Sequence, residues 1–132
     1  MNVQTALVLL GHGARDPAWA GPMERARVLL TARRPATAIE LAFLEFMQPT
    51  LDEAIDALVQ GGHKAVVVVP FFLAHGTHLK KDVPLLLDGA RARHPGCAIT
   101  LAPAVGEADT VLAAMADYAA ACGDGVIPAS AP

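Results

Sequence analysis

A histidine flanked by glycines, Gly11-His12-Gly13, directly follows the apolar run Ala6 to Leu10. Imidazole binds divalent cations and exchanges protons near neutral pH, so a histidine on a turn at the end of an expected strand is a candidate metal ligand or base. Glu45 follows the second apolar run, Leu41 to Leu44, and His75 and His78 follow a third, Ala65 to Leu73. The step from position 12 to 45 is 33 residues, and the step from 45 to 78 is again 33. A strand-helix-strand unit takes about 30 residues or more, so equal steps of this size return each group to the same end of a parallel sheet. Ligands of open α/β sheets bind in the crevice outside the carboxyl ends of the strands. The spacing therefore predicts one site.

Four runs are the expected strands: Leu7 to Leu10, Ile39 to Leu44, Val66 to Phe72 and Ile99 to Ala102. They are nearly continuous rather than alternating, as strands buried on both faces are. Helical patterns separate them. The clearest is Leu51, Ala54, Ile55, Leu58 and Val59, one apolar stripe with Asp52, Glu53, Asp56 and Gln60 toward water. Pro49 suits its first turn and Gly61-Gly62 its end. A first helix over Pro22 to Ala32 is expected to bury Met23, Ala26 and Leu30. A third, near Asp82 to Arg93, buries Val83, Leu86, Leu87 and Ala90, with Pro84 in its opening turn. The last buries Ala108, Val111, Leu112, Met115, Tyr118, Ala119 and Cys122 and stops at Gly123. Strand-helix repeated four times predicts a four-stranded parallel α/β sheet flanked by helices, with right-handed crossovers, as in flavodoxin-like folds. One domain over 1–122 and a loosely held tail over 123–132 are expected.

The glycines beside His12 let backbone or ligand approach closely. Glu45 stands among Phe43, Leu44, Phe46 and Met47, which predicts poor solvation, a raised pKa and a better proton acceptor. The plain alternative is a carboxylate capping the helix that begins near Pro49. His75 and His78 are both expected on a loop, Ala74 to Lys81, beyond the third strand, and either could turn toward His12, leaving the other a bystander. His63 and His94, on turns outside this set, are expected to be exposed and silent. Arg15, Lys80 and Lys81 flank the proposed mouth, where they could bind carboxylates of an acidic ligand or simply form a solvated rim. With the first strand between the second and third, Glu45 and His78 start roughly 10 Å apart with His12 between them. An open row of a carboxylate and imidazoles suits a metal held transiently, and such donors favour cobalt, nickel, iron or zinc over magnesium. No Ser or Cys occupies a strand-to-helix elbow, and no phosphate-cradling glycine loop ends in Lys-Ser or Lys-Thr.

At 132 residues the chain can bury a core without disulfides or structural metal. Cys97 and Cys122 have no metal-binding spacing and read as free thiols, which points weakly to a reducing compartment. No Lys or Arg precedes Arg15, so the first apolar run lacks the charged flank of a secretory signal. No stretch is long enough to span a bilayer, and a soluble, cytoplasmic protein is expected. A net charge of −3 makes nucleic acid an unexpected partner. Hydrophobic content of 54% and a mean hydropathy of +0.41 are high for a small monomer and predict an apolar subunit interface.

The segments Leu10-Gly11-His12-Gly13-Ala14-Arg15-Asp16, Leu41-Ala42-Phe43-Leu44-Glu45 with Pro49, and Pro70-Phe71-Phe72-Leu73 leading to Gly76-Thr77-His78 and Asp82-Val83-Pro84 resemble the short, single-domain sirohydrochlorin cobaltochelatases. These are class II chelatases, which insert a divalent metal into a tetrapyrrole. The resemblance runs from about Leu7 to Gly106. It implies that His12 and His78 are metal ligands and bases and that Glu45 assists them, while His75 lies outside the pattern. It also implies sirohydrochlorin as substrate, Co2+ as the favoured metal with Fe2+ or Ni2+ as alternatives, no permanent cofactor, and a homodimer. Ala14 departs from the family's usual serine, which weakens a hydrogen bond to the ligand. Cobalamin, sirohaem and nickel-tetrapyrrole synthesis share this macrocycle. Two rival readings are a metal or tetrapyrrole carrier without turnover, and a histidine phosphatase. The latter normally has an arginine where Gly11 stands and a set of arginines to clamp a phosphoryl group.

Overall fold

The computed structural model describes residues 5–126, and of His78 only the backbone. The order is β1 (Ala6–Gly11), α1 (Gly21–Arg33), β2 (Ile39–Phe43), α2 (Leu51–Gln60), β3 (Ala65–Pro70), α3 (Thr77–Arg93), β4 (Ala98–Leu101) and α4 (Asp109–Gly123). Short 3-10 turns at Pro17–Ala20 and Val105–Glu107 precede α1 and α4. The strands form one parallel sheet in the order β2-β1-β3-β4. The chain steps from β1 to one side for β2 and returns past it for β3, so β1 is flanked by strands reached in opposite directions. A crevice opens at such a reversal.

Alternate residues of the strands feed two apolar layers. Val8, Leu10, Ala42, Val66 and Val68 pack with Leu51, Ala54, Ile55 and Leu58 of α2 and Val83, Leu87 and Ala90 of α3. On the opposite face Leu9, Leu41 and Phe43 pack with Ala20 and Met23. The first layer holds most of the fully buried large side chains. Each such Leu or Ile contributes about 1.5–3 kcal/mol of burial free energy. The second layer is thinner: Ala26 and Leu30 of α1 are half-buried rather than buried, and alternate β3 residues Ala65, Val67 and Val69 are only partly covered.

Three helix expectations need correction. Pro49 precedes the first turn of α2 rather than occupying it. Thr50 is the N-cap, its hydroxyl accepting from the Glu53 N–H at 3.2 Å while the Glu53 carboxylate accepts from the Thr50 N–H at 2.9 Å. Thr50→Ala removes this reciprocal cap. Its expected cost is about 1 kcal/mol, read as a lower urea midpoint with an unchanged slope. The third helix starts at Thr77, five residues before the expected Asp82, which places Pro84 in its interior. Pro84 lacks the N–H that would reach the Lys80 carbonyl, yet Val83 and Leu87 are fully buried beside it. Tertiary burial outweighs the local penalty there.

The third correction concerns α4, which has no buried residue. Leu112, Met115 and Tyr118 are exposed, as are Val28 and Leu29 of α1. The sequence pattern records that these side chains suit an apolar contact, but the single chain places no core against them. Gly123 is the last residue of α4, and of the proposed tail, residues 127–132 lie outside the described part.

His94 is not the exposed, silent residue expected. At the C-terminus of α3 its Nε2 lies 2.6 Å from Asp56 Oδ1 on α2, and Arg93 donates to Asp56 at 3.0 Å and Asp52 at 3.3 Å. His63 is also half-buried, with Nδ1 3.1 Å from the Leu58 carbonyl. The His94 hydrogen bond, helped by Arg93, holds the Asp56 carboxyl below its ordinary value of 3.8. A lowered carboxyl pKa stabilises the fold above the ordinary value, and the gain disappears as pH falls through the lower, folded value. The Asp56 side chain is 38% exposed, so solvent screening limits the gain to about 1 kcal/mol or less. Wild type is therefore expected to exceed Asp56→Asn in urea stability near pH 6, with the difference closing as pH falls below the ordinary carboxyl value of 3.8.

Candidate metal and tetrapyrrole site

The site is built on the carboxyl end of β1. Its pairing with β2 continues beyond both strands: the Leu44 N–H donates to the Gly11 carbonyl and the Glu45 N–H to the His12 carbonyl, each at 3.0 Å. On the other side the Phe71 N–H donates to the Leu10 carbonyl at 2.8 Å. His12 and Glu45 are thus joined by a backbone bond, and the chain following β3 runs alongside. Gly13 makes this approach possible. Its φ is +89°, and a Cβ there would collide with the Glu45 carbonyl oxygen. Gly11 is restricted for another reason, since a Cβ would run into the Met23 sulfur in the core.

The His12 side chain is exposed at this turn, with its ring centroid 4.4 Å from that of Phe72 and tilted 40° to it. Glu45 is exposed as well, contrary to the expectation of a poorly solvated carboxylate. The four apolar neighbours do not enclose it. Phe43 turns into the core against Trp19, whereas Phe46, at a φ of +66°, is turned outward and exposed. Glu45 does not cap α2 either, because Thr50 holds that position. The desolvation argument for Glu45 lapses, and its contribution rests on placement beside His12.

Arg15 lies on the same turn, its Cζ 5.0 Å from the Phe46 ring centroid, in cation–π range. The Asp16 side chain accepts from the Ala18 N–H at 3.0 Å and caps the 3-10 turn that leads away from the site. His78 is not on a loop: its backbone is the second residue of α3, one residue after Thr77. Lys80 and Lys81 follow on the same helix, both exposed. Lys80 lines a cleft of about 410 Å³ together with His75, Pro84, Leu101, Pro103 and Glu107.

His75 stays on the loop before α3, apart from the helical His78. Its ring meets Phe72 edge-on, with centroids 5.6 Å apart at 83°, and its side chain is only 11% exposed. The nearest carboxylate oxygen, Glu107 Oε1, is 3.9 Å from His75 Nε2. Among the described residues, no group of three or more His, Cys, Asp or Glu side chains is arranged to hold a metal ion. His12 and Glu45 together offer one nitrogen and one carboxylate donor on an open surface. This pair can bind a cation and accept a proton while leaving room for a large flat ligand.

Sequence reasoning missed Phe72 and Glu107. Phe72 reads as the last apolar residue of a strand, but β3 ends at Pro70 and Phe72 turns into the core at the point where His12 meets it. Glu107 carries no signal in the sequence, because it reaches His75 only through the turn after β4.

The CbiX family profile matches residues 6–121. The chain belongs to the CbiX family. Among curated relatives of this CbiX chain, a sirohydrochlorin cobaltochelatase of Methanocaldococcus jannaschii is 38% identical over 89 residues, 67% of this chain and 62% of the relative. One of Methanococcus aeolicus is 37% identical over 82 residues, 62% of this chain and 57% of the relative. The matched region therefore spans about three fifths of these relatives. The solved structure of a putative cobalamin biosynthesis CbiX protein from Marinobacter aquaeolei superimposes with a TM-score of 0.79 at 30% identity, covering 92% of this chain and 99% of that one. SirB from Bacillus subtilis with Fe3+ gives 0.76 at 25% identity over 95% of this chain and 48% of SirB. The sirohydrochlorin chelatase SirB in complex with cobalt gives 0.70 at 26% identity, over 89% of this chain and 50% of that one. These likenesses agree with the four-stranded parallel sheet and flanking helices expected from the alternation of apolar runs. No described helix is long and apolar enough to cross a membrane.

Proposed function

We propose that this CbiX chain is a sirohydrochlorin chelatase that inserts a divalent metal, Co2+ in preference to Fe2+ or Ni2+, into the macrocycle. The observation that carries the reading is the backbone-locked pair of His12 and Glu45 at the sheet's reversal point, within a family match over residues 6–121. The relatives named as cobaltochelatases and the cobalt-bound SirB support the choice of metal and substrate.

The chemistry requires a metal ion to lose water and two pyrrolic protons to leave as it enters the ring. His12 and His78 act as the metal's ligands on the protein and as proton acceptors, since a neutral imidazole does either. Glu45 offsets charge as the cation arrives and takes a proton in turn. Arg15, Lys80 and Lys81 bind peripheral carboxylates of the macrocycle by charge-assisted hydrogen bonds. The metal is a substrate that departs with the product, which suits an open donor set better than a closed cage.

The working unit in this reading is a homodimer located in the cytoplasm. Exposed Val28, Leu29, Leu112, Met115 and Tyr118 give a second copy an apolar surface to cover, and the match to SirB spans about half of that chain. Cys97 and Cys122 are unpaired, as thiols in a reducing compartment are.

The deciding test is an anaerobic absorbance time course of sirohydrochlorin with Co2+, Fe2+ or Ni2+ and catalytic amounts of protein. Acceleration over the spontaneous rate is expected, fastest with Co2+. Folded protein that binds metal without accelerating insertion of any ion would replace the chelatase reading with that of a carrier.

A further inference from the structure

We infer that Phe72 is a positioning residue for His12, holding the imidazole in one orientation by ring contact while leaving both of its nitrogens available. The inference rests on the reading of His12 as metal ligand and base. A metal-binding histidine is ordinarily oriented by a hydrogen bond from its second ring nitrogen to a carboxylate or carbonyl. Such a bond fixes the tautomer and occupies that nitrogen. Among the described residues no side chain or carbonyl makes this bond to His12, and the contact its ring does make is with Phe72, at 4.4 Å between centroids.

Phe72 is suited to the task because it is itself immobilised. The residue is 4% exposed and belongs to the core layer shared with α2 and α3. Its backbone is clamped from two sides. The preceding residue donates to the Leu10 carbonyl at the end of β1, and the Phe72 carbonyl accepts from the Gly106 N–H at 3.0 Å. That second clamp requires glycine, since a Cβ at Gly106 would overlap the Leu73 backbone. The Phe72 ring also makes a T-shaped contact with the His75 ring. A buried ring tied to β1 and to the turn after β4 presents a fixed surface to an exposed imidazole whose own turn is glycine-flanked. The arrangement leaves the tautomer of His12 open, so either nitrogen can be the one that faces the cation.

The test compares Phe72→Leu, which keeps an apolar side chain but loses the flat ring, with Phe72→Tyr, which keeps the ring. In wild type the carbon-bound His12 ring protons, assigned by comparison with His12→Ala, are expected to be shifted from random-coil positions by the Phe72 ring current. Phe72→Leu should return them toward those positions and lower kcat for Co2+ insertion about 10- to 100-fold with little change in KM for sirohydrochlorin. Phe72→Tyr should restore both. Should Phe72→Leu not fold, Phe72→Met makes the same comparison. Random-coil His12 signals in wild type, or a folded ring-less variant with unchanged signals and kcat, would overturn the inference. Absence of metal insertion by wild type would instead remove the chelatase reading, and the proton spectra would still decide whether Phe72 orients His12.

Discussion

Replacing His12 and His78 together by alanine is expected to reduce metal insertion to the spontaneous rate. A positioned acid–base group contributes about 10²–10⁴-fold to a proton-transfer step, and in the proposed mechanism the same imidazoles also hold the cation. The two contributions fail together, so the double variant should lose no less than the larger single one. Glu45→Gln should be milder, about 10- to 100-fold, because the carboxylate is exposed and water can replace part of its function. Neither His12 nor Glu45 is in the core, so urea midpoints should stay near wild type for His12→Ala and Glu45→Gln. Insertion assays with each purified protein, set beside Co2+ binding, make the measurement. Wild-type rates from the double variant would remove both histidines from the mechanism.

The second large effect is expected at Gly13. Alanine there must adopt a φ near +89° and place its Cβ where the Glu45 carbonyl oxygen now lies. A non-glycine residue held at such a φ costs about 1–3 kcal/mol, and relieving the collision means separating the turn from the segment after β2. The Glu45 N–H to His12 carbonyl bond is the link at risk. Gly13→Ala should therefore lower the urea midpoint and reduce insertion by more than 10²-fold, since small displacements of reacting groups have effects of that size. Ala14→Ser, one position on, is the control. It adds a hydroxyl at a position with negative φ, and is expected to retain stability. A Gly13→Ala protein with wild-type stability and rate would show that the close approach of the two segments is dispensable.

Much of the architecture is encoded locally. The apolar runs at Leu7, Ile39, Val66 and Ile99 each become a strand, because a parallel sheet demands continuous hydrophobicity that few other elements share. The stripe on α2 likewise marks its buried face, with Leu51, Ala54, Ile55 and Leu58 all in the core. Other features depend on who the neighbour is. The Leu112, Met115 and Tyr118 pattern is as apolar as that of α2, but in the single chain those residues have no core beside them. Glu45 shows the same limit. Its apolar neighbours in sequence suggested enclosure, whereas a left-handed residue at Phe46 sends that ring outward.

By itself, the sequence determined that four strands alternate with helices and that His12, Glu45 and the His75–His78 segment return to one end of the sheet. Hydrophobic periodicity and chain length suffice for that, because burial preference and the reach of a strand-helix-strand unit are local properties. Only the tertiary structure decided that Phe72 lies against His12, that His75 faces Glu107 rather than standing free, and that Glu45 is open to solvent. The two ring and charge contacts join residues 60 and 32 positions apart, the first across two crossover connections and the second across one. They depend on strand order, on where each strand ends and on the backbone angles of a few turn residues, which apolar periodicity does not specify.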